Sequence, residues 1–133
     1  IFFMKKSQTK IRVRYGETDQ MGFVYHGNYT QYFEMGRIAW LEDLGFSYKK
    51  MEEDGIIMPV IYLEIDFKNT AHYDDELTII TKLIAKPTAK IKFSYEVLNN
   101  AGDIIAIAKT DLVFLDKATK KPIRCPDFIL DHL

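Results

Sequence analysis

Two carboxylates, a histidine and three glycines fall within the fifteen residues Tyr15 to Tyr29, Y-G-E-T-D-Q-M-G-F-V-Y-H-G-N-Y. Glu17, Asp19 and His26 are the side chains there able to move a proton or attack a carbonyl carbon. An aspartate, with a reference pKa of about 3.9, is an anion at neutral pH, suited to act as a nucleophile or general base and not as an acid. A loop position just ahead of a helix also sets Asp19 near the helix's positive end. There the N–H groups of the first turn, those of His26 and Gly27 among them, lack intrahelical acceptors. An anion beside such donors describes acyl transfer: the carboxylate attacks or activates water while the backbone N–H groups hold the developing oxyanion. The competing reading of Asp19 is structural, an Asx-turn around Gly22. Glu17 reads as a solvated loop residue. His26 is open between a base, a substrate-positioning donor and a polar residue before the helix.

Other chemistries find little support. The chain has 18 basic and 19 acidic residues and a net charge of -1, so no excess positive field exists to hold a nucleic acid backbone. Its one cysteine, Cys125, cannot form an internal disulfide, has no C-x-x-C partner for a metal, and reads as inert. His72, in A-H-Y-D-D-E, has no second histidine or cysteine near it, and no metal or cofactor is expected. None of Ser7, Ser47 and Ser94 lies in G-x-S-x-G. The glycine spacing matches neither dinucleotide nor P-loop patterns. No apolar run approaches the roughly 18 to 20 residues of a transmembrane span, and Ile1 to Met4 is too short for a signal-peptide core. Met4 offers an alternative start. A reducing, cytoplasmic setting is expected.

The elements that must position the loop follow from hydrophobic period. Lys10 to Tyr15 alternates Ile11, Val13 and Tyr15 against Lys10, Arg12 and Arg14, a half-buried strand. Asn28 offers a helix N-cap. From Tyr29 the positions Tyr29, Tyr32, Phe33, Gly36, Ala39, Trp40 and Leu44 recur at three- and four-residue intervals, one amphipathic helix ended by Gly45. Its first turn is also a candidate wall for an acyl pocket. Gly36 costs about 1 kcal/mol of helix propensity, which a close approach to a sheet would explain. Ser47 caps a second, short helix that stops at Gly55.

Period 2 then takes over. Ile61 to Phe67, Leu77 to Leu83 and Ile91 to Val97 alternate, with Pro59 at the first strand's start or edge. The turn Asn99-Asn100-Ala101-Gly102 makes a hairpin. Ile104 to Leu115 is apolar on much of both faces and reads as a central strand. One helical turn is expected at Asp127 to Leu130. The 133 residues suit one domain, residues 1–133. Helix followed by consecutive strands predicts an α+β fold with a five-stranded antiparallel sheet. One long helix covers only one face of such a sheet, so a second subunit is expected over the rest, a homodimer at least.

The stretch T-D-Q-M-G-F-V-Y-H-G-N-Y, followed by Y-F-E-M-G-R-I-A-W-L, resembles the hot-dog-fold acyl-CoA thioesterases of the 4-hydroxybenzoyl-CoA thioesterase type. That group includes the short-chain acyl-CoA thioesterases associated with the Tol-Pal system. The likeness continues through A-H-Y-D-D-E-L-T-I-I-T and F-L-D-K-A-T-K-K-P-I-R-C-P. The resemblance implies a hot-dog fold, in which a curved sheet wraps the long helix, and dimers that pair into a homotetramer with the active site at the dimer interface. It implies that Asp19 is the catalytic carboxylate and that the backbone N–H of His26 polarises the thioester carbonyl. Tyr25, Gly27, Asn28 and Tyr29 then border the substrate. Family members often carry basic or hydroxyl residues for the CoA phosphates at a turn that here reads K-P-T-A-K, making Lys86, Thr88 and Lys90 candidates. The Tyr25-His26 pair is closer to the short-chain acyl branch than to the 4-hydroxybenzoyl branch. Acyl-CoA hydrolysis is thus expected. The alternatives are a non-catalytic acyl-thioester-binding module and a hot-dog dehydratase. The dehydratase needs a loop histidine paired with a helix carboxylate, for which His26 and Glu34 are poorly spaced.

Overall fold

The computed structural model describes residues 5–133, so Ile1 to Met4 lie outside the described residues. The chain runs β1 (Lys6–Arg12), a 3-10 turn (Tyr15–Glu17), a second 3-10 turn (His26–Asn28), α1 (Tyr29–Asp43), α2 (Tyr48–Glu53), β2 (Ile56–Ile57), β3 (Val60–Phe67), β4 (Glu76–Leu83), β5 (Lys90–Leu98), β6 (Ile104–Val113), β7 (Leu115–Asp116) and α3 (Asp127–Leu130). Five strands form one antiparallel sheet in the order β1-β4-β5-β6-β3. β2 and β7 pair separately.

α1 lies on the sheet face made by Ile79 and Thr81 of β4 and Phe93 and Tyr95 of β5. The Phe33 ring stacks on Tyr95 with centroids 4.6 Å apart, and Trp40 meets Phe93 edge-on at 5.0 Å. Gly36 is where the helix comes closest. A Cβ there would lie 3.2 Å from the Ile79 Cγ2 and nearer still to the Thr81 hydroxyl. The propensity lost at Gly36 is offset by this approach, which lets Phe33 and Trp40 reach the β5 rings. A sheet packed over one long helix that buries Tyr29, Tyr32, Phe33, Gly36, Arg37, Trp40 and Leu41 against it is the hot-dog arrangement. The helix ends as expected: Gly45 takes φ +93° and donates to the Glu42 carbonyl. The Ser47 hydroxyl accepts the Lys50 N–H and caps α2.

Three expectations need correction. The first strand begins earlier and stops at Arg12, because Val13 N–H goes to the Asp75 carbonyl and Asp74 N–H returns to Val13. Tyr15 is then free of the ladder and stands 76% exposed. β6 is interior but not central, since β5 holds the middle. Nor is β6 apolar on both faces: the side away from α1 carries Lys109 and Asp111, and Lys92 lies 3.8 Å from Asp111 across the ladder. The outer face of β6 therefore mixes charge with the exposed Ile107. The edge strand β3 leaves apolar side chains open at its start, where Val60, Ile61, Tyr62 and Leu63 are 40% to 51% exposed. Among the described residues no helix is long and apolar enough to cross a membrane.

Candidate functional site

The loop between β1 and α1 is built from two adjacent turns. In the first, the Glu17 carboxylate folds back on its own chain: Oε1 accepts the Arg14 N–H at 2.8 Å and the Tyr32 hydroxyl at 3.1 Å. Oε2 accepts the Arg14 guanidinium through Nε at 3.2 Å and Nη2 at 3.1 Å. Glu17 is only 9% exposed, so it is not the solvated loop residue that the sequence suggests. Burial pushes its pKa up, but the Arg14 N–H, the Arg14 guanidinium and the Tyr32 hydroxyl outweigh that and hold it below its ordinary value. The Tyr32 hydroxyl is raised in turn, by burial and by the Glu17 charge beside it.

In the second turn Asp19 closes on itself. Its N–H donates to the Phe23 carbonyl at 2.8 Å, its carbonyl accepts Gly22 N–H at 3.0 Å, and Gly22 takes φ +85°. Oδ1 accepts the Met21 and Phe23 N–H groups at 2.9 and 3.2 Å. The Asx-turn read from Gly22 is therefore present. It uses one oxygen only; Oδ2 has no hydrogen-bond partner among the described residues. A half-buried carboxylate held by two backbone donors through one oxygen is oriented and keeps acceptor sites on the other.

Asp19 shares a pocket of about 200 Å³ with His26 and Tyr29, walled by Met21, Phe23, Phe67, Asn69 and Thr70. His26 and Gly27 open the 3-10 turn that runs directly into α1. Among the described residues neither of their N–H groups has an acceptor. The anion and the donors expected from the sequence thus lie on one loop, and Asp19 and His26 border one cavity.

Asn28 behaves differently from the expected cap. It is already helical, with φ −76° and ψ −17°, and its side chain caps nothing. Its Nδ2 donates instead to the Glu17 carbonyl at 2.8 Å, and Tyr25 N–H donates to the same oxygen at 2.9 Å. Because the 3-10 turn continues into the helix, the orphan donors belong to His26 and Gly27, and the Asn28 amide is left to tie the helix start to the first turn. Tyr25 is exposed, its ring 4.3 Å from that of His26. It also covers Gly27, where a Cβ would come 2.8 Å from the Tyr25 Cε2. Tyr29 is buried with its ring edge-on to Phe67 at 5.3 Å, and burial pushes its hydroxyl up to about 12, so it remains neutral at any working pH.

Lys86, Thr88 and Lys90 are exposed and do not join this group within one protomer. They stand at the turn after β4, whose first residue Glu76 pairs with Arg12 beside the loop. Eight residues of strand at about 3.3 Å each separate the turn from the loop by about 25 Å. Thr88 is fixed there: its carbonyl accepts Cys125 N–H at 2.7 Å. Cys125 itself is buried, and burial, with Asp127 nearby, pushes its thiol up to about 12. His72 interacts with Asp75 in its own turn, and its ring meets Phe23 edge-on at 5.5 Å.

The wall residues Phe67, Asn69 and Thr70 were not legible in advance. They sit some forty positions after the loop, and no local pattern marks them. What brings them in is the bridge between Phe23 and His72 and the Val24 N–H donating to the Ala71 carbonyl at 2.8 Å.

Comparison with known proteins bears on this arrangement. The chain is 39% identical to the Putative acyl-CoA thioesterase YneP of Bacillus subtilis over 91% of its own length and 88% of that protein. It is 31% identical to the Acyl-CoA thioesterase YbgC of Haemophilus influenzae over 87% of its length and 85% of that protein. Among solved structures, a DHNA-CoA thioesterase from Staphylococcus aureus superposes with a TM-score of 0.87 at 36% identity, covering 95% of this chain and 85% of the other. The family model of the thioesterase-like superfamily matches residues 13–133, from the end of β1 to the C-terminal residue. With nearly the whole chain matched and its fold shared with a solved thioesterase, this protein belongs to the thioesterase-like superfamily.

Proposed function

We propose that this protein is an acyl-CoA thioester hydrolase, a single hot-dog domain in which Asp19 is the catalytic carboxylate and the backbone N–H groups of His26 and Gly27 form the oxyanion hole. The observation that carries this reading is the pairing, on one loop, of a carboxylate oxygen and two N–H groups that have no hydrogen-bond partner among the described residues. A thioester carbonyl set between them has its oxygen facing the donors and its carbon facing Asp19 Oδ2. As general base, Asp19 takes a proton from water as the water oxygen attacks that carbon. The tetrahedral oxyanion is held by the two N–H groups, then collapses to the free acid as CoA thiolate leaves. As nucleophile, Asp19 instead bonds to the carbon, expels CoA thiolate, and the resulting anhydride is opened by water. The names of the relatives support the acyl-CoA substrate class. The His26 ring has no necessary part, since the donor is its N–H.

The distance to Lys86, Thr88 and Lys90 supports a homodimer, with the homotetramer as the further assembly that the family resemblance suggests. Lys90 lies level with Val113, and Val60 is level with Leu112, so this turn and the start of β3 share one end of the sheet. The Asp19 pocket is at the other end, beside Phe67. Two copies joined antiparallel along β3 bring the lysine turn of one toward the Asp19 pocket of the other, where it can meet the CoA phosphates. A cytoplasmic location follows from the proposed substrate pool.

The second reading is a binding module without turnover, favoured by the use of Asp19 Oδ1 within its own turn. Release of free thiol from short, long and aromatic acyl-CoAs separates the two. Turnover that vanishes in Asp19→Asn supports the hydrolase; binding of acyl-CoA with no thiol release from any substrate supports the module. Oxygen-isotope incorporation into Asp19 during a single turnover distinguishes nucleophile from base.

A further inference from the structure

Two charged side chains are buried among the described residues, and their surroundings differ. The Glu17 carboxylate has the Arg14 guanidinium against it. Arg37, 8% exposed, donates through Nη1 to the Tyr95 hydroxyl at 3.1 Å, and that hydroxyl is shared with Thr110 Oγ1 at 2.5 Å. Among the described residues the guanidinium has no ion pair, Nη2 has no acceptor, and Nε is fully buried with none either. A buried cation with one neutral partner carries a desolvation cost that an opposing charge normally offsets.

The part of the guanidinium left without partners has a specific shape. Nε and Nη2 share one edge of the plane, the edge that takes both oxygens of a carboxylate in two parallel hydrogen bonds. Tyr95 holds the third nitrogen, so the fork is fixed in orientation. Arg37 lines a pocket of about 260 Å³ between α1 and β3, with apolar walls from Phe33, Val60 and Leu63 and the Thr110 side chain beside it. Such a cavity, mostly apolar with one oriented cation, suits a carboxylate carried on a short apolar chain. Glu34, three residues before Arg37, also borders the pocket but is exposed and makes no ion pair with it. Its carboxylate is not the missing partner.

We propose that this pocket is a carboxylate subsite: Arg37 takes, through Nε and Nη2, the carboxylate of a ligand whose short apolar chain lies against Phe33, Val60 and Leu63. Two sources share that chemistry. The pocket has no lining residue in common with the Asp19 pocket. Yet Thr30 follows Tyr29 on α1, and Leu63 precedes Phe67 by four residues on β3, so the two cavities are successive along one groove. The carboxylate is therefore either the far end of a dicarboxylic acyl group or that of a free acid, the class of compound that thioester hydrolysis releases. As a binding site the pocket stands apart from the hydrolase reading above; only its first source rests on that reading.

Isothermal titration calorimetry with hexanoate and its neutral amide, hexanamide, tests the site. Wild type is expected to bind hexanoate at least about tenfold more tightly than hexanamide. Arg37→Lys, which keeps the charge but not the fork, should lose at least about tenfold in hexanoate affinity, whereas Asp19→Asn should keep it. Equal affinity for the two probes, hexanoate binding unchanged in Arg37→Lys, or no hexanoate binding because a second copy fills the pocket overturns the inference. If Arg37→Lys does not fold, the exposed substitution Glu34→Gln decides in its place. Removing a like charge from the rim should tighten hexanoate about threefold, and an unchanged affinity then overturns the inference. Turnover of adipyl-CoA and hexanoyl-CoA separates the sources. A fall of at least about tenfold in the adipyl-to-hexanoyl ratio of kcat/KM in Arg37→Lys identifies the far carboxylate of the substrate. An unchanged ratio with hexanoate binding lost identifies the free acid. Calorimetry needs no turnover, so a chain that hydrolyses no thioester can still bind hexanoate, and a pocket that binds none leaves the Asp19→Asn assay to judge the chemistry by itself.

Discussion

The turn at Arg14–Glu17 and the turn at Asp19–Phe23 are neighbours of similar size, each organised by one carboxylate, yet they spend those carboxylates in opposite ways. Glu17 puts both oxygens into its own surroundings and receives four hydrogen bonds from Arg14 and Tyr32. Asp19 places two on one oxygen and keeps the other free. A fully satisfied, buried carboxylate holds a fold together and has no lone pair to offer a substrate. A half-satisfied one on a pocket wall is aimed and keeps an oxygen able to accept a hydrogen bond. The two turns are also linked. Glu17's carbonyl accepts Asn28 Nδ2 and Tyr25 N–H, so the scaffold turn sets where the helix begins and where the His26 and Gly27 donors point.

The contrast breaks most sharply in Asp19→Asn. The substitution keeps the shape and the Oδ1 acceptor but removes the charge, so kcat in a thiol-release assay should fall by about 10² to 10⁴, with thermal stability nearly unchanged. Full activity would show that the free oxygen is not the reacting group. Glu17→Ala should do the reverse. It leaves the buried Tyr32 hydroxyl and the Arg14 N–H without their acceptor, at a cost of about 2 to 3 kcal/mol in denaturant unfolding. Protein that remains folded should lose far less activity than Asp19→Asn. If both substitutions act equally on kcat and stability, the division between the turns fails.

Acid titration sharpens the same point. Glu17's folded pKa lies below its ordinary value of 4.5, so its stabilisation is complete above that value and is lost as pH falls through the folded pKa. Stability of wild type and Glu17→Gln should therefore converge below pH 4.5, measured by urea midpoints against pH. A constant difference down to the acid limit would mean that Glu17's charge is not what the first turn uses. Asn28→Ala removes the tie from the helix start to Glu17 and should cost about 1 kcal/mol, read by the same midpoints, together with a modest loss of kcat as the donors lose their anchor. Smallest of all, His26→Ala retains the backbone N–H and should change kcat less than tenfold. A collapse of activity there would give the ring a role that the site as drawn does not need.

Much of this architecture was legible from local pattern. The 3.6-residue period placed α1, Gly36 marked the close approach to β4, and Gly45 and Ser47 marked the break before α2. Each of those signals is short-range, set by propensity and backbone conformation within a few residues. The make-up of the loop and its Asx-turn were legible for the same reason: Asp19, Gly22 and the helix start all lie within ten residues. Glu17 was misread because its burial depends on Tyr32, a full helical face away, and on a β1 that ends at Arg12 only because the Asp74–Asp75 turn takes over its pairing. β6 was misread because counting apolar residues does not reveal that Lys109 and Asp111 share the outward face.

By itself, then, the sequence determined that a carboxylate and the backbone donors of a helix start share one loop, and that a long helix would lie on an antiparallel sheet. Those features are written in residue type and in spacings shorter than a turn or a strand. Only the tertiary structure decided that Glu17 is scaffold, that Phe67, Asn69 and Thr70 close the pocket, that Lys86 to Lys90 lie a strand's length from it, and that Arg37 is buried with no ion pair among the described residues. All four depend on contacts between segments distant in the chain, where burial and long-range hydrogen bonding, not local propensity, settle what each side chain meets.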